Sequence, residues 1–226
     1  SSTTELTAKI EGQPLNAIFG FETLGICDNQ ELYDKYAPMM QKYNPKWGMG
    51  DIIIKDRTGE GVINDEDRTV IGNSIPRFTF GLNLGFEYKG FDFSCFFQGV
   101  GKADGYVTME AIQPMGINGA RKEHYKESFN PQDPKPGAYF PRILSSDYNY
   151  AYMSHWVQDA SYIRLKNLQI GYSFKIKGLN QLRVYASGEN LFTATKYRTW
   201  DPETPVGARG FYPNVAVYSM GVNLNF

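Results

Sequence analysis

The chain has 226 residues, 15% of them aromatic (16 Tyr and 15 Phe), with a formal net charge of −1 and a mean hydropathy of −0.43. That charge balance supplies no polybasic face for nucleic acid, and no apolar run nears the ~18 residues of a membrane-crossing helix. Two cysteines, Cys27 and Cys95, and two histidines, His124 and His155, fit no metal spacing; the histidines read as surface residues, and a disulfide stays open. Abundant aromatics without overall hydrophobicity suit alternating strands better than buried helices.

Ser1-Ser2-Thr3-Thr4 carries neither an initiator Met nor a basic-then-apolar leader, which predicts a processed chain or the tail of something longer. The first predicted strand, 15–26, alternates Ala17, Phe19 and Phe21 against Ile18, Gly20 and Glu22. A long loop, 27–76, follows, and it holds the one segment with ligand-like spacing. Against a 12-residue calcium loop, Asp56 falls at position 1, Thr58 at 3, Glu60 at 5, Gly61 at the turn, Val62 at 7 (offering its carbonyl), Asn64 at 9 and Asp67 at 12. Oxygen donors on alternate residues suit a hard cation, but Thr58 replaces a carboxylate and Asp67 reaches less far than Glu. The alternative is a turn-rich loop held by Asx and hydroxyl hydrogen bonds.

The strand over 77–88 places Phe78, Phe80, Leu82, Leu84, Phe86 and Tyr88 on one face. Lys89-Gly90 then makes a two-residue turn into 91–101, whose Phe91, Phe93, Cys95 and Phe97 land on that same side, so the two registers agree. After a second long loop, 102–160, the strand over 161–174 ends in Leu168, Ile170, Tyr172 and Phe174, with its first half in opposite phase; a bulge or an exit from the bilayer near Lys166 is expected. A short link, 175–180, leads to the strand 181–194, a third long loop covers 195–215, and the last strand, 216–226, alternates Ala216, Tyr218, Met220, Val222, Leu224 and Phe226 with small or polar residues.

One greasy and one wet face, strands of about 9–11 residues, and strictly alternating short and long links are the marks of an all-β, antiparallel outer-membrane barrel with long extracellular loops. Short turns are periplasmic in such barrels, so the C-terminus is expected in the periplasm. Tyr88, Phe91, Tyr172, Phe174 and Phe226 gather at that end as an interfacial girdle. Phe226 is the expected assembly signal of the closing strand. Six strands fall short of the minimum of about eight for a closed bacterial barrel, which predicts more strands upstream or within 102–160.

No nucleophile elbow, phosphate loop or His–carboxylate pair is present, so catalysis is not expected. Tyr148, Tyr150, Tyr152 and Trp156, in the second long loop, are candidates for stacking on a substrate; packing against neighbouring loops is the commoner fate.

The run Gly50-Asp51-Ile52 through Asp56, Gly61, Ile63 and Asn64-Asp65-Glu66-Asp67-Arg68-Thr69-Val70-Ile71-Gly72 resembles the C-terminal region of the SusC/RagA family of TonB-dependent transporters. So do Phe80-Gly81-Leu82-Asn83-Leu84, Tyr88-Lys89-Gly90-Phe91-Asp92, Phe96-Phe97-Gln98-Gly99, Ser161 to Leu168 with Gly171-Tyr172, and Arg183 to Phe192. Glu11-Gly12-Gln13-Pro14 and Asp201-Pro202 fit as well. The resemblance departs at Thr58 and Glu60, where the family often has Asn and Asp. It implies a barrel of about 22 strands closed by an N-terminal plug that this chain lacks. It also implies import of an oligosaccharide or peptide, driven through TonB, beside a SusD-like surface lipoprotein. A small self-contained barrel of structural or adhesin type, or a secreted carbohydrate-binding β-domain, are the other readings.

Overall fold

The computed structural model describes residues 6–8, 10–108, 112–114, 119–134, 136–143, 147–178, 180–204, 206 and 212–225. In chain order the elements are β1 (Thr7–Ala8), β2 (Ala17–Phe21), β3 (Thr23–Ile26), α1 (Gln30–Tyr43), β4 (Ile52–Ile54), β5 (Arg68–Asn73), β6 (Phe78–Tyr88), β7 (Phe91–Gly101), β8 (Asp104–Tyr106), α2 (Lys122–Glu127), β9 (Val157–Asp159), β10 (Tyr162–Phe174), β11 (Gln181–Thr195) and β12 (Val217–Asn225). Single 3-10 turns cover Asp65–Asp67, Asp147–Tyr150 and Ser154–Trp156. The chain divides into two compact units: residues 1–75, 104–158 and 205–210, and residues 76–103, 159–204 and 211–226.

The second unit is one antiparallel sheet in the order β12-β11-β10-β7-β6. Its strands arise from the period-two pattern, and the turns fix their register. Lys89 (φ 50°) and Gly90 (φ 88°) both take the left-handed region, the conformation of a type I′ turn whose twist matches that of the strands it joins. Tyr88 accordingly faces Phe91, and the ladder runs on in step to Phe78 opposite Gly101. Between Leu165 and Asn167 the register of β10 slips against both neighbours: against β7 Lys166 is the extra residue of a bulge, whereas against β11 the extra residue lies on β11, at Asn190–Leu191. That slip explains the change of phase: on either side of it, the apolar residues of β10 stay on one face.

The first unit differs from the expectation. The segment 15–26 is not one strand of the large sheet. It breaks at Glu22 into β2, which pairs with β1 and β5, and β3, which pairs with β4. Alternation marks a segment as extended without naming its neighbour, and here Glu22 turns aside to bind Lys55 Nζ at 2.8 Å. Nor are 27–76 and 102–160 plain loops, since they hold α1, β4 and β5, and then β8, α2 and β9. Helix α1 starts where the Asn29 side chain accepts the Leu32 N–H at 2.9 Å, has Glu31 in its first turn and Lys42 in its last, and buries Ala37 and Met40. Phe21, Trp47, Ile52, Ile53, Ile54, Met153 and Trp156 form the fully buried centre of this unit. Both cysteines are free. His124 is not a surface residue: it is 1% exposed, with its ring edge-on to Phe140.

Candidate functional site

The large sheet keeps its apolar side chains on the outside. Phe80 is 47% exposed, Leu84 48%, Ile170 42% and Leu224 55%. Buried together, these four would mark a water-soluble core; exposed along one face, they form a continuous apolar wall. Such a surface is far beyond the scattered single hydrophobics of a soluble monomer. The opposite face is polar and tied across strands. Arg183 on β11 reaches over Gly171 on β10 to Asp92 on β7, with Nε 2.9 Å from Asp92 Oδ2. Gly171 leaves room for this pair, because a Cβ would lie 2.7 Å from the Arg183 guanidinium and displace it. Among the described residues β6 pairs only with β7, and β12 only with β11, so both outer edges of the sheet carry open backbone groups.

At the other end of the polar face the segment after β11 folds back onto β10. Arg164, 1% exposed, grips Asp201 with Nη2 at 2.8 and 2.7 Å, and its Nη1 lies 3.2 Å from Glu203. Lys166 Nζ and the Tyr162 hydroxyl each reach the same Glu203 oxygen at 2.8 Å. Burial pushes the Glu203 carboxyl up, but the hydrogen bonds from Lys166 and Tyr162 outweigh it and hold the group below its ordinary range. The bulge residue Lys166 thus serves this latch.

In the first unit Asp51, 3% exposed, is the hub. Arg142 holds both its oxygens, through Nε at 2.8 Å and Nη2 at 2.6 Å, and Asn149 donates to it at 2.9 Å. Gly48 N–H donates to Asp51 Oδ2 at 2.8 Å, while Asn149 Oδ1 accepts from Ile52 N–H at 3.0 Å. Gly50 (φ 87°) brings the backbone so close that a Cβ would sit 2.9 Å from Arg142 Cβ. This is a closed structural knot, with every partner supplied from within the unit.

Of the four aromatic candidates, Tyr148, Tyr150 and Trp156 pack beside this knot and Tyr152 packs nearby in the same unit, the commoner of the two fates expected for them. Trp156 is 0% exposed and Tyr150 3% exposed; they stack on each other, and Trp156 Nε1 donates to Asn149 O at 2.8 Å. Tyr148 donates to Ile52 O at 2.9 Å, and Tyr152 packs edge-on to Tyr106. Burial raises the phenols of Tyr148 and Tyr150, the latter to about 12. Tyr150 and Trp156 are enclosed, whereas Tyr148 and Tyr152 stay half-buried.

The calcium-like loop is brought together, but around backbone amides. Asp56 accepts from Gly59 N–H at 2.6 Å and Gly61 N–H at 2.7 Å, and the Thr58 hydroxyl adds a third bond. These bonds, that of Gly61 first, hold its carboxyl below the ordinary range. Asp67 accepts from Arg57, Thr58 and Asn64 N–H groups, at 2.8, 3.1 and 3.0 Å. Asn64 caps Glu66 N–H and touches Glu60, while Val62 is exposed. Among the described residues no three His, Cys, Asp or Glu side chains gather as a metal site. Phe226 lies outside the described residues.

No family model matches the chain. It is, however, 32% identical over 240 residues to TonB-dependent receptor P3 of Formosa agariphila, covering 96% of this chain and 22% of that protein. With the TonB-dependent receptor SusC of Bacteroides thetaiotaomicron it shares 27% identity over 185 residues, covering 77% of this chain and 17% of SusC. The chain belongs with the SusC/RagA-type TonB-dependent receptors. Among solved structures, the RagAB peptide transporter matches the whole of this chain at a TM-score of 0.70 and 20% identity, over 25% of its own length. The RagAB peptide importer in its open-open state matches 95% of this chain at 0.69 and 22% identity, over 23% of its length. These two likenesses concern the fold. The chain spans between 17% and 25% of the length of the receptors it resembles.

Two features of this receptor segment escape sequence reading. The Arg164–Asp201–Glu203 latch joins residues 37 and 39 positions apart, and the Asp51–Arg142 pair spans 91. A signal was present for the first, because Arg164 and Lys166 are the two charged residues of their strand, and Asp201-Pro202 stood among the family-like residues.

Proposed function

We propose that this chain is a stretch of the wall and outer loops of an outer-membrane barrel that imports a nutrient in a TonB-dependent way. The observation that carries the reading is the exposed apolar face running the length of the sheet, on a segment whose sequence matches TonB-dependent receptors end to end. Open sheet edges cannot face lipid, so further strands cover β6 and β12, and the whole closes as a plugged barrel of about 22 strands. Short turns at 89–90 and 175–180 lie in the periplasm together with the C-terminus. The role is transport, with a SusD-like lipoprotein as lid, TonB acting through a plug domain, and an oligosaccharide or peptide as cargo. The loop at 56–67 is a self-closed turn and needs no cation, because its carboxylates already answer backbone amides.

The test is to delete the gene encoding the full receptor and follow growth on oligosaccharides and on peptides separately, while fractionating the native protein and the lipoproteins that co-purify with it. Loss of growth on one class, recovery in the outer-membrane fraction and co-purification of a SusD-like lipoprotein are expected. Release into buffer without detergent would overturn the reading.

A further inference from the structure

On the lipid-facing side of the sheet, β10, β11 and β12 enclose an apolar groove of about 650 Å³, a size suited to a bound small molecule. Its depth has a local cause. Along one cross-strand row Ile170 faces Ala186, and Ala186 faces Met220, so the smallest side chain lies between two large ones. In the next rows Val184, Val222 and Phe174 complete the walls. The groove is almost wholly apolar, as an acyl chain requires.

What lies beside it is charged. Phe174, at the groove's end, leads directly into the turn that carries Lys175 and Lys177, both exposed. The neighbouring turn carries Lys89, also exposed, and the two turns are tied together by the Ser173 N–H donating to Gly90 O at 2.7 Å. None of these three ammonium groups has an acidic partner among the described residues. The nearby acids stand on the polar face, where Asp92 is already engaged by Arg183. The turn that follows Phe174 therefore carries Lys175 and Lys177 just beyond the groove's end, and Lys89 stands on the neighbouring turn with its ammonium 5.1 Å from the Tyr88 ring centre.

We propose that this corner is a seat for one anionic phospholipid of the periplasmic leaflet, its phosphate among Lys89, Lys175 and Lys177 and one acyl chain in the groove over Ala186. The proposal rests on the membrane reading above. It goes beyond that reading in selecting a headgroup, since lipid contact alone would leave zwitterionic and anionic lipids equivalent.

The experiment uses the full receptor, extracted in mild detergent and offered equal amounts of phosphatidylglycerol and phosphatidylcholine, with retained lipid counted by native mass spectrometry. Retention of phosphatidylglycerol over phosphatidylcholine is expected, falling about fivefold for each of K89Q, K175Q and K177Q. In Ala186→Trp, which fills the groove from an exposed position without crowding a core, retention of both lipids is expected to fall. Equal retention of the two lipids by the unaltered receptor, or unchanged preference in the triple Lys→Gln variant, would overturn the proposal. Those outcomes in a protein that still fractionates with the membrane leave the transport reading intact. A receptor that stays in solution without detergent would sink both.

Discussion

The two units use the same aromatic wealth in opposite directions. In the large sheet Phe80, Phe86, Tyr172 and Tyr218 face outward, while arginine and aspartate meet on the inner face. In the loop-built unit Phe21, Trp47, Tyr150 and Trp156 face inward and exclude water from a carboxylate knot. On the membrane reading proposed above, the same side chains pack under different rules because the surrounding medium differs: water forces the loop unit to hide its rings, whereas hydrocarbon lets the sheet display them.

The sharpest way to break this comparison is to remove one ring from each unit. Trp156→Ala is expected to cost the loop unit about 3–5 kcal/mol, read as earlier thermal unfolding and proteolytic cutting within 104–158. A loss equal to that of Phe80→Ala on the sheet would erase the distinction between them. Charge is the next probe. Leu84→Arg should destabilise the sheet by about 2–4 kcal/mol in refolding into vesicles, and Asn83→Arg, one residue away on the other face, by much less. Equal effects would mean that neither face meets lipid.

A third, smaller effect depends on pH. Burial holds the His124 and His155 rings below their ordinary value of 6.5, so the folded unit keeps them neutral. The unfolded chain takes up its protons first as pH falls, so their contribution is complete above about 6.5 and is lost on acidification toward the lower folded values. Amide exchange around α2 and residues 153–156 should therefore speed up between about pH 7 and about pH 5, after correction for intrinsic rates, and exchange in β11 should not. The smallest effect is expected from calcium. Millimolar calcium should leave the unfolding of the 56–67 loop unchanged, whereas a clear protective shift would restore that loop as a cation site.

Legibility followed the range of the interactions. The strands β6, β7, β10, β11 and β12 could be read because alternation and a two-residue turn are local properties, and even the bulge at Lys166 left a visible change of phase. The loop unit could not be read, because its core depends on partners brought together from afar: Asp51 with Arg142 and Asn149, and Thr23 with Ser154. Tyr148 to Trp156 left both stacking on a substrate and packing open for the same reason, since nothing in their spacing reveals what covers them. The loop at 56–67 was ambiguous in a different way. Alternate oxygens and a tight glycine wrap equally well around a cation or around the chain's own amides, and spacing alone does not distinguish the two.

The bare outer rails of β6 and β12 set a condition on how this stretch can be made. Left by itself, each rail is a template for any extended peptide, including another copy of the same strand, and the greasy flank would glue such stacks together. Produced in isolation the segment is expected to form fibrils or inclusion bodies, which strands paired to both rails would prevent.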